Sequence, residues 1–275
     1  MTEPANVSLE TETTRLIRTW LHEQAALFKP RDPEHVLIAN NCFRAEKLYV
    51  PEGTVIDLGG GTTLINGVLA RLGMKVHVVD FMDDYWTETS GYSDNMRGAF
   101  DFLRSQGVHF IKADLTDCDL RQHFPPRSAD RIVTNHTLEH FHASPRKLLE
   151  SSVDVLADGG LMVIEVPNAV NLLKRIKVLC GRTNYPPYEG FYSEARWMGH
   201  VREYSVGDLT TLARLLGFDD WKIYGRNWHG ALYWKVKSRP VAAFVDRALQ
   251  LFPGLCGSLF LEAHKRPAKG ASGAP

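Results

Sequence analysis

The sequence predicts an α/β protein with a doubly wound, mostly parallel sheet, and three observations lead there. Short apolar runs without alternation, such as Thr54–Leu58, read as strands buried on both faces. From residue 54 to about residue 224, such runs alternate with stretches of helical periodicity. Gly59-Gly60-Gly61 closes the first run and opens a helix, a turn that lets a ligand lie against bare backbone.

The elements follow in order. Thr14 to Phe28 carries apolar side chains at Leu16, Ile17, Trp20, Leu21 and roughly every third or fourth place after, an amphipathic helix. Lys29-Pro30-Arg31-Asp32-Pro33 breaks it, and a second helical stretch runs to Tyr49. After the Pro51-Glu52-Gly53 turn come strand Thr54–Leu58, helix Leu64–Leu72, strand Val76–Asp80, helix Met96–Gln106 and strand Val108–Ala113. Arg131–Thr134 is the fourth strand, Pro145–Leu156 a helix with Ser144 as its cap, and Gly160–Val166 the fifth strand. Ser205-Val-Gly-Asp208 starts a helix through Leu216 in capping-box fashion, and Phe218–Tyr224 and Ser258–Ala263 are the last strands.

Residues 1–50 thus form a helical N-terminal extension, residues 51–266 the main domain and residues 267–275 a flexible tail. Two insertions, about 168–204 and 226–257, are rich in aromatic residues and read as lids over the carboxyl ends of the strands.

Composition excludes several classes. Thirty-two basic and thirty-two acidic residues balance, which speaks against nucleic acid or an anionic membrane as partner. The N-terminus lacks the basic and apolar regions of a signal peptide, and no run is long and apolar enough to span a membrane. Cys42, Cys118, Cys180 and Cys256 are widely spaced and read as buried thiols of a reducing, cytoplasmic compartment.

The glycine loop discriminates between cofactors. A dinucleotide site wants G-x-G-x-x-G, but Leu64 stands at the third glycine position. Asp57, two residues before Gly59, would repel a pyrophosphate and suits the cationic amino-acid end of S-adenosylmethionine. Asp80 ends the second strand, placed for the ribose hydroxyls; Asp114 ends the third, placed for the adenine amine with Leu115 against the ring. Each of these also reads as a helix cap or a solvated turn residue, and only their order along the strand ends favours the cofactor.

Val55-Ile-Asp57-Leu-Gly-Gly-Gly61, Val79-Asp80, Ala113-Asp114, Ala129–His140 and Val155–Asn168 resemble the class I S-adenosylmethionine-dependent methyltransferases of the small-molecule type. The resemblance covers roughly Thr54 to Tyr224. It implies a seven-stranded Rossmann-like sheet, with Asp57, Gly59, Gly61, Asp80, Asp114, Leu115 and Asn135 holding the cofactor. Thr63 departs from it, at a position where the family often has a glycine.

His136, Glu139 and His140 are spaced i, i+3, i+4, which places them on one face of a helical turn. The resemblance puts this turn nearest the transferred methyl group and is close to the ubiquinone-biosynthesis O-methyltransferases, whose Glu-x-x-Glu-His binds a divalent metal. A hydroxyl acceptor must shed its proton, to a base such as His140 or His136 or through a metal held by His136, Glu139 and His140. Magnesium prefers oxygen, so two imidazoles favour manganese, zinc or a similar ion. The same residues can equally serve packing or capping.

In the lid, Trp197, His200, Arg202, Glu203, Tyr204 and His229 are the candidate substrate contacts. Aromatic faces mixed with His, Arg and Glu suit a hydroxyl-rich acceptor, a saccharide first. A finer resemblance is to sugar O-methyltransferases acting on methylated mannosides in polysaccharide assembly. The expected partners are therefore a small polar acceptor and, possible on the same grounds, a second copy of the chain as a homodimer. Competing readings are a quinone or natural-product O- or N-methyltransferase, an NAD-dependent oxidoreductase, and a catalytically inactive cofactor-binding regulator.

Overall fold

A computed structural model describes residues 8–28, 33–82, 93–194, 197–227 and 239–267. The chain divides into two compact units, one of Met1–Leu115 with Ala129–Arg131, the other of Thr116–Ser128 with Ile132–Pro275. The strands form one seven-stranded sheet in the order β3-β2-β1-β4-β5-β7-β6.

The first unit opens with α1 (Leu9–Glu23) and α2 (Glu34–Leu48). Helix α1 starts five residues earlier than its apolar periodicity suggests, because the Ser8 hydroxyl accepts from the Thr11 N–H and caps it. It also ends at Glu23, and the Gln24 to Phe28 stretch forms a turn, with the Phe28 N–H donating to the Gln24 carbonyl. Its apolar face buries Leu16, Ile17 and Trp20, the last edge-on to Phe102 with ring centroids 5.4 Å apart. Then follow β1 (Thr54–Leu58), α3 (Leu64–Arg71), β2 (Lys75–Asp80), α4 (Ser93–Ser105) and β3 (Val108–Lys112). β1 pairs with β2, and β2 with β3, both parallel, so Leu58 lies opposite Val79 and Asp80 opposite Lys112. Val55, Ile56 and Leu58 are fully buried, as their unalternating run predicts.

β4 (Ala129–Asn135) leads into the second unit, with α5 (Arg146–Val155), β5 (Leu156–Pro167), α6 (Leu172–Leu179), α7 (Tyr188–Ser193), α8 (Val206–Leu215), β6 (Asp220–Arg226), α9 (Arg239–Gln250) and β7 (Ser258–His264). β7 lies between β5 and β6 and runs antiparallel to both. β5 begins at Leu156, directly after α5, rather than at Gly160. The cap of α5 is Pro145, not Ser144, whose hydroxyl accepts only from the Arg146 N–H. The capping box of Ser205 and Asp208 at the start of α8 is formed in both directions. Among the described residues no helix is long and apolar enough to cross a membrane.

Candidate functional site

In the first unit the glycine loop is shaped by backbone. Gly59 and Gly61 lie at φ +74° and +50°, the left-handed region that glycine enters without penalty. Gly60 is fixed by space: a Cβ there would overlap the Asp57 carboxylate and lie 2.9 Å from Asn66 Nδ2. The Asp80 carboxylate at the end of β2 accepts from the N–H groups of Gly61 (2.9 Å) and Met82 (3.1 Å), tying loop and strand end together. Thr63 does not open the turn as a glycine would. It precedes α3 in extended geometry, and its hydroxyl accepts from Asn66 Nδ2 at 3.0 Å.

Asp57 is buried on β1. One carboxylate oxygen accepts from Asn66 Nδ2 at 2.8 Å; the other, Oδ1, has no hydrogen-bond partner. Burial pushes its pKa up to about 6, opposed by the Asn66 hydrogen bond and by Arg44. A buried, half-satisfied carboxylate that resists ionisation is a receptor for positive charge. Asp114 is exposed past the end of β3, and Leu115 beside it is buried.

The second unit holds the acid and histidine cluster. Asn135 ends β4, its Nδ2 buried and without a partner. His136 does not continue a helical turn: it sits at φ +50°, costly for a non-glycine residue, with its N–H donating to the Glu165 carbonyl at 3.0 Å. Only Leu138–His140 makes a turn, of the 3-10 type. His136 nevertheless reaches Glu139, Nδ1 to Oε1 at 3.2 Å, while its Nε2 lies 3.1 Å from Glu165 Oε1. Burial works against its charge, yet the carboxylates of Glu165 and Glu139 more than offset this and push it up to about 9. It is an imidazolium at neutral pH, with both nitrogens committed.

Glu139 is fully buried, and its Oε2 has no hydrogen-bond partner. Around it stand His140 and His200, and one ligand atom from each of the three lies within 4.8 Å of the others. The two imidazoles meet edge to face, centroids 5.1 Å apart. His140 Nδ1 is 2.8 Å from the Met198 carbonyl and His200 Nδ1 2.9 Å from Glu203 Oε1. Both partners only accept, so each Nδ1 is the donor of its pair, and Nε2 is the ring nitrogen left for other partners. Lys174 of α6 pairs with Glu203 in turn. Burial opposes ionisation of Glu203, but His200 and Lys174 more than compensate and hold its carboxyl below the usual range. The N–H groups of Val201 and Arg202 both donate to the Glu139 carbonyl, fastening this loop to the 3-10 turn.

The remaining lid candidates divide. Arg202 points away, paired with Asp208 at 3.0 Å and exposed. Tyr204 is buried in a parallel bridge with Asn168. Trp197 donates from Nε1 to the His200 carbonyl. Tyr185, Tyr188, Phe191 and Tyr192 are exposed, not the core of a cap. His229 lies outside the described residues, as do the other residues of 228–238 in the second insertion. Sequence reasoning overlooked Asn66, Lys174 and Glu165. Glu165 did carry a signal, an acid inside the apolar run Leu161–Pro167, where burial demands a partner.

Comparison with known proteins follows the same lines. The profile of a family described as a methyltransferase domain matches residues 11–223. A search of curated proteins gives no match. Among solved structures the chain is similar to a SAM-dependent methyltransferase from Archaeoglobus fulgidus, with 18% identity, 83% of this chain and 93% of that one covered, and a TM-score of 0.53. Another, from Mesorhizobium loti, has 15% identity, coverage of 84% and 98%, and a TM-score of 0.52. Phosphoethanolamine N-methyltransferase 2 from Haemonchus contortus matches at 15% identity and a TM-score of 0.54, over 96% of this chain but 61% of that one. At these identities the likeness is one of fold.

Proposed function

The chain belongs to the methyltransferase-domain family and is a class I S-adenosylmethionine-dependent methyltransferase, and on that premise we propose that it methylates a hydroxyl of a small polar acceptor. Asp57, Gly59, Gly61, Asp80, Asp114, Leu115 and Asn135 are the proposed cofactor residues. They fit the group: the orphaned Oδ1 of Asp57 suits a cation, the run Gly59–Gly61 carries no side chain to keep a ligand from the backbone, and Asn135 Nδ2 is a buried donor in want of an acceptor. When bound, S-adenosylmethionine supplies the methyl group, its carbon–sulfur bond breaking as the bond from carbon to the acceptor oxygen forms.

The observation that carries the hydroxyl reading is the basic cluster of Glu139, His140 and His200. An amine attacks with a lone pair it already has, whereas a hydroxyl must give up a proton, and the Nε2 atoms of His140 and His200, aimed by their Nδ1 partners, serve either to take that proton or to hold an ion that lowers the hydroxyl's pKa. His136, already charged, is no base; its role is to hold the Glu139 carboxylate in place. A saccharide is the favoured acceptor class, since the exposed rings of Tyr185, Tyr188 and Tyr192 offer stacking faces for sugar rings. Four free cysteines suit a cytoplasmic enzyme, although only Cys118 and Cys256 are buried, Cys42 being half-buried and Cys180 exposed, against the expectation of four buried thiols.

A mass-spectrometric screen with methyl-labelled S-adenosylmethionine against small glycans, quinols and amines tests this. Label on a glycan hydroxyl is the expected result, lost in His140→Ala. Label confined to amines, phosphoethanolamine included, overturns it.

A further inference from the structure

We propose that Glu139, His140 and His200 bind one divalent cation of borderline character, manganese or zinc in preference to magnesium or calcium. The role of that ion rests on the hydroxyl reading above; its binding does not. His200 takes the place that the sequence spacing assigned to His136, whose two nitrogens are held by Glu139 and Glu165.

Four features of the second unit point to a cation. Two imidazoles and one carboxylate form a donor set that borderline transition cations favour and magnesium does not. The three donors already converge: His200 Nε2 is 3.9 Å from Glu139 Oε1, and all three ligand atoms fit within 4.8 Å. Ligands at about 2.0–2.2 Å from an ion need a contraction of only about 1 Å. Glu139 Oε2 is buried without any hydrogen-bond partner, a cost that a cation removes.

The fourth feature is the outer layer. Metal-bound imidazoles usually donate their other N–H to a carbonyl or carboxylate, which fixes the tautomer and aims the ligating nitrogen. His140 does so to the Met198 carbonyl, and His200 to Glu203, itself anchored by Lys174. A lone surface histidine has no use for such bracing. An ion with three protein ligands would keep open positions and would lower the pKa of an acceptor hydroxyl bound there, so that water could take the proton while His140 and His200 stay ligands.

The test titrates Mn²⁺ into metal-stripped full-length protein, followed by electron paramagnetic resonance, with Zn²⁺ titrated calorimetrically alongside Mg²⁺. The expected result is one Mn²⁺ per chain. Its affinity should fall at least about 100-fold in His200→Ala and Glu139→Gln, about 10-fold in Glu203→Gln, and stay unchanged in His142→Ala. No Mn²⁺ or Zn²⁺ binding by the wild type, or equal binding by His200→Ala and Glu139→Gln, overturns the site. Should either variant fail to fold, pulsed resonance on the wild-type Mn²⁺ complex decides: coupling to two imidazole nitrogens supports the site, and its absence overturns it. A protein that binds the ion this way yet labels only amines keeps the site and overturns only the acceptor reading.

Discussion

The glycine loop of the first unit and the histidine cluster of the second solve opposite problems with opposite materials. The loop is built from backbone: positive φ at Gly59 and Gly61, a residue at 60 that tolerates no Cβ, and the Gly61 N–H donating to Asp80. All of it except the Asp80 carboxylate lies within Asp57–Asn66. The cluster is built from side chains drawn from His136–His140, Glu165, Lys174 and His200–Glu203, separated by up to 67 positions in the chain, from His136 to Glu203. A backbone site tolerates few substitutions at any of its glycines. A side-chain site is sensitive only where a named atom is lost.

The sharpest way to break this contrast is Gly60→Val. Its side chain would displace the Asp57 carboxylate and Asn66, so S-adenosylmethionine affinity should fall at least ~100-fold, with a loss of several kcal/mol in stability from overpacking about a buried carboxylate. Near-normal affinity by isothermal titration would mean the loop is not the cofactor cradle. Next comes pH. With Asp57 near pKa 6 and protonated below it, only the ionised form attracts a cation. Binding of S-adenosylmethionine should therefore weaken as pH falls below 6, by up to about tenfold per unit. The same raised pKa means that the free protein loses stability from this group as pH rises from the unfolded value to about 6, because the native state holds the extra proton. An affinity that is flat from pH 5 to 8, or equally steep in Asp57→Asn, removes Asp57 from the site.

Two smaller effects mark the boundary of the cluster. Ser205→Ala removes the capping box of α8 and should cost about 1 kcal/mol in denaturant unfolding. Arg202→Ala breaks only the exposed pair with Asp208, so it should cost a few tenths of a kcal/mol and leave kcat unchanged. A large fall in kcat for Arg202→Ala would return that residue to the acceptor site.

How much was legible in the sequence follows the same division. Strand runs, glycine loop and the acidic strand ends are local patterns, so Asp57, Gly59, Gly61 and Asp80 could be picked out by spacing as the proposed cofactor residues. The i, i+3, i+4 reading of His136, Glu139 and His140 assumed an α-helical turn. A left-handed His136 and a single 3-10 turn replaced it, and no propensity predicts a histidine at positive φ. The joining of His200 to Glu139 depends on a loop fastened by the N–H groups of Val201 and Arg202, a pairing that no periodicity encodes. Asn66 hid inside an ordinary helix. Glu165 was visible as an acid in a buried strand, and its partner was not.

The most direct test sets Asp57→Asn beside Glu139→Gln and measures both Kd for S-adenosylmethionine and kcat on the best acceptor. If the glycine loop holds the donor and the histidine cluster activates the acceptor, Asp57→Asn loses affinity at least ~10-fold, while Glu139→Gln keeps its Kd within about twofold and loses kcat by about 10²–10⁴. Equal loss of affinity in both variants, or full turnover by Glu139→Gln, would contradict that division.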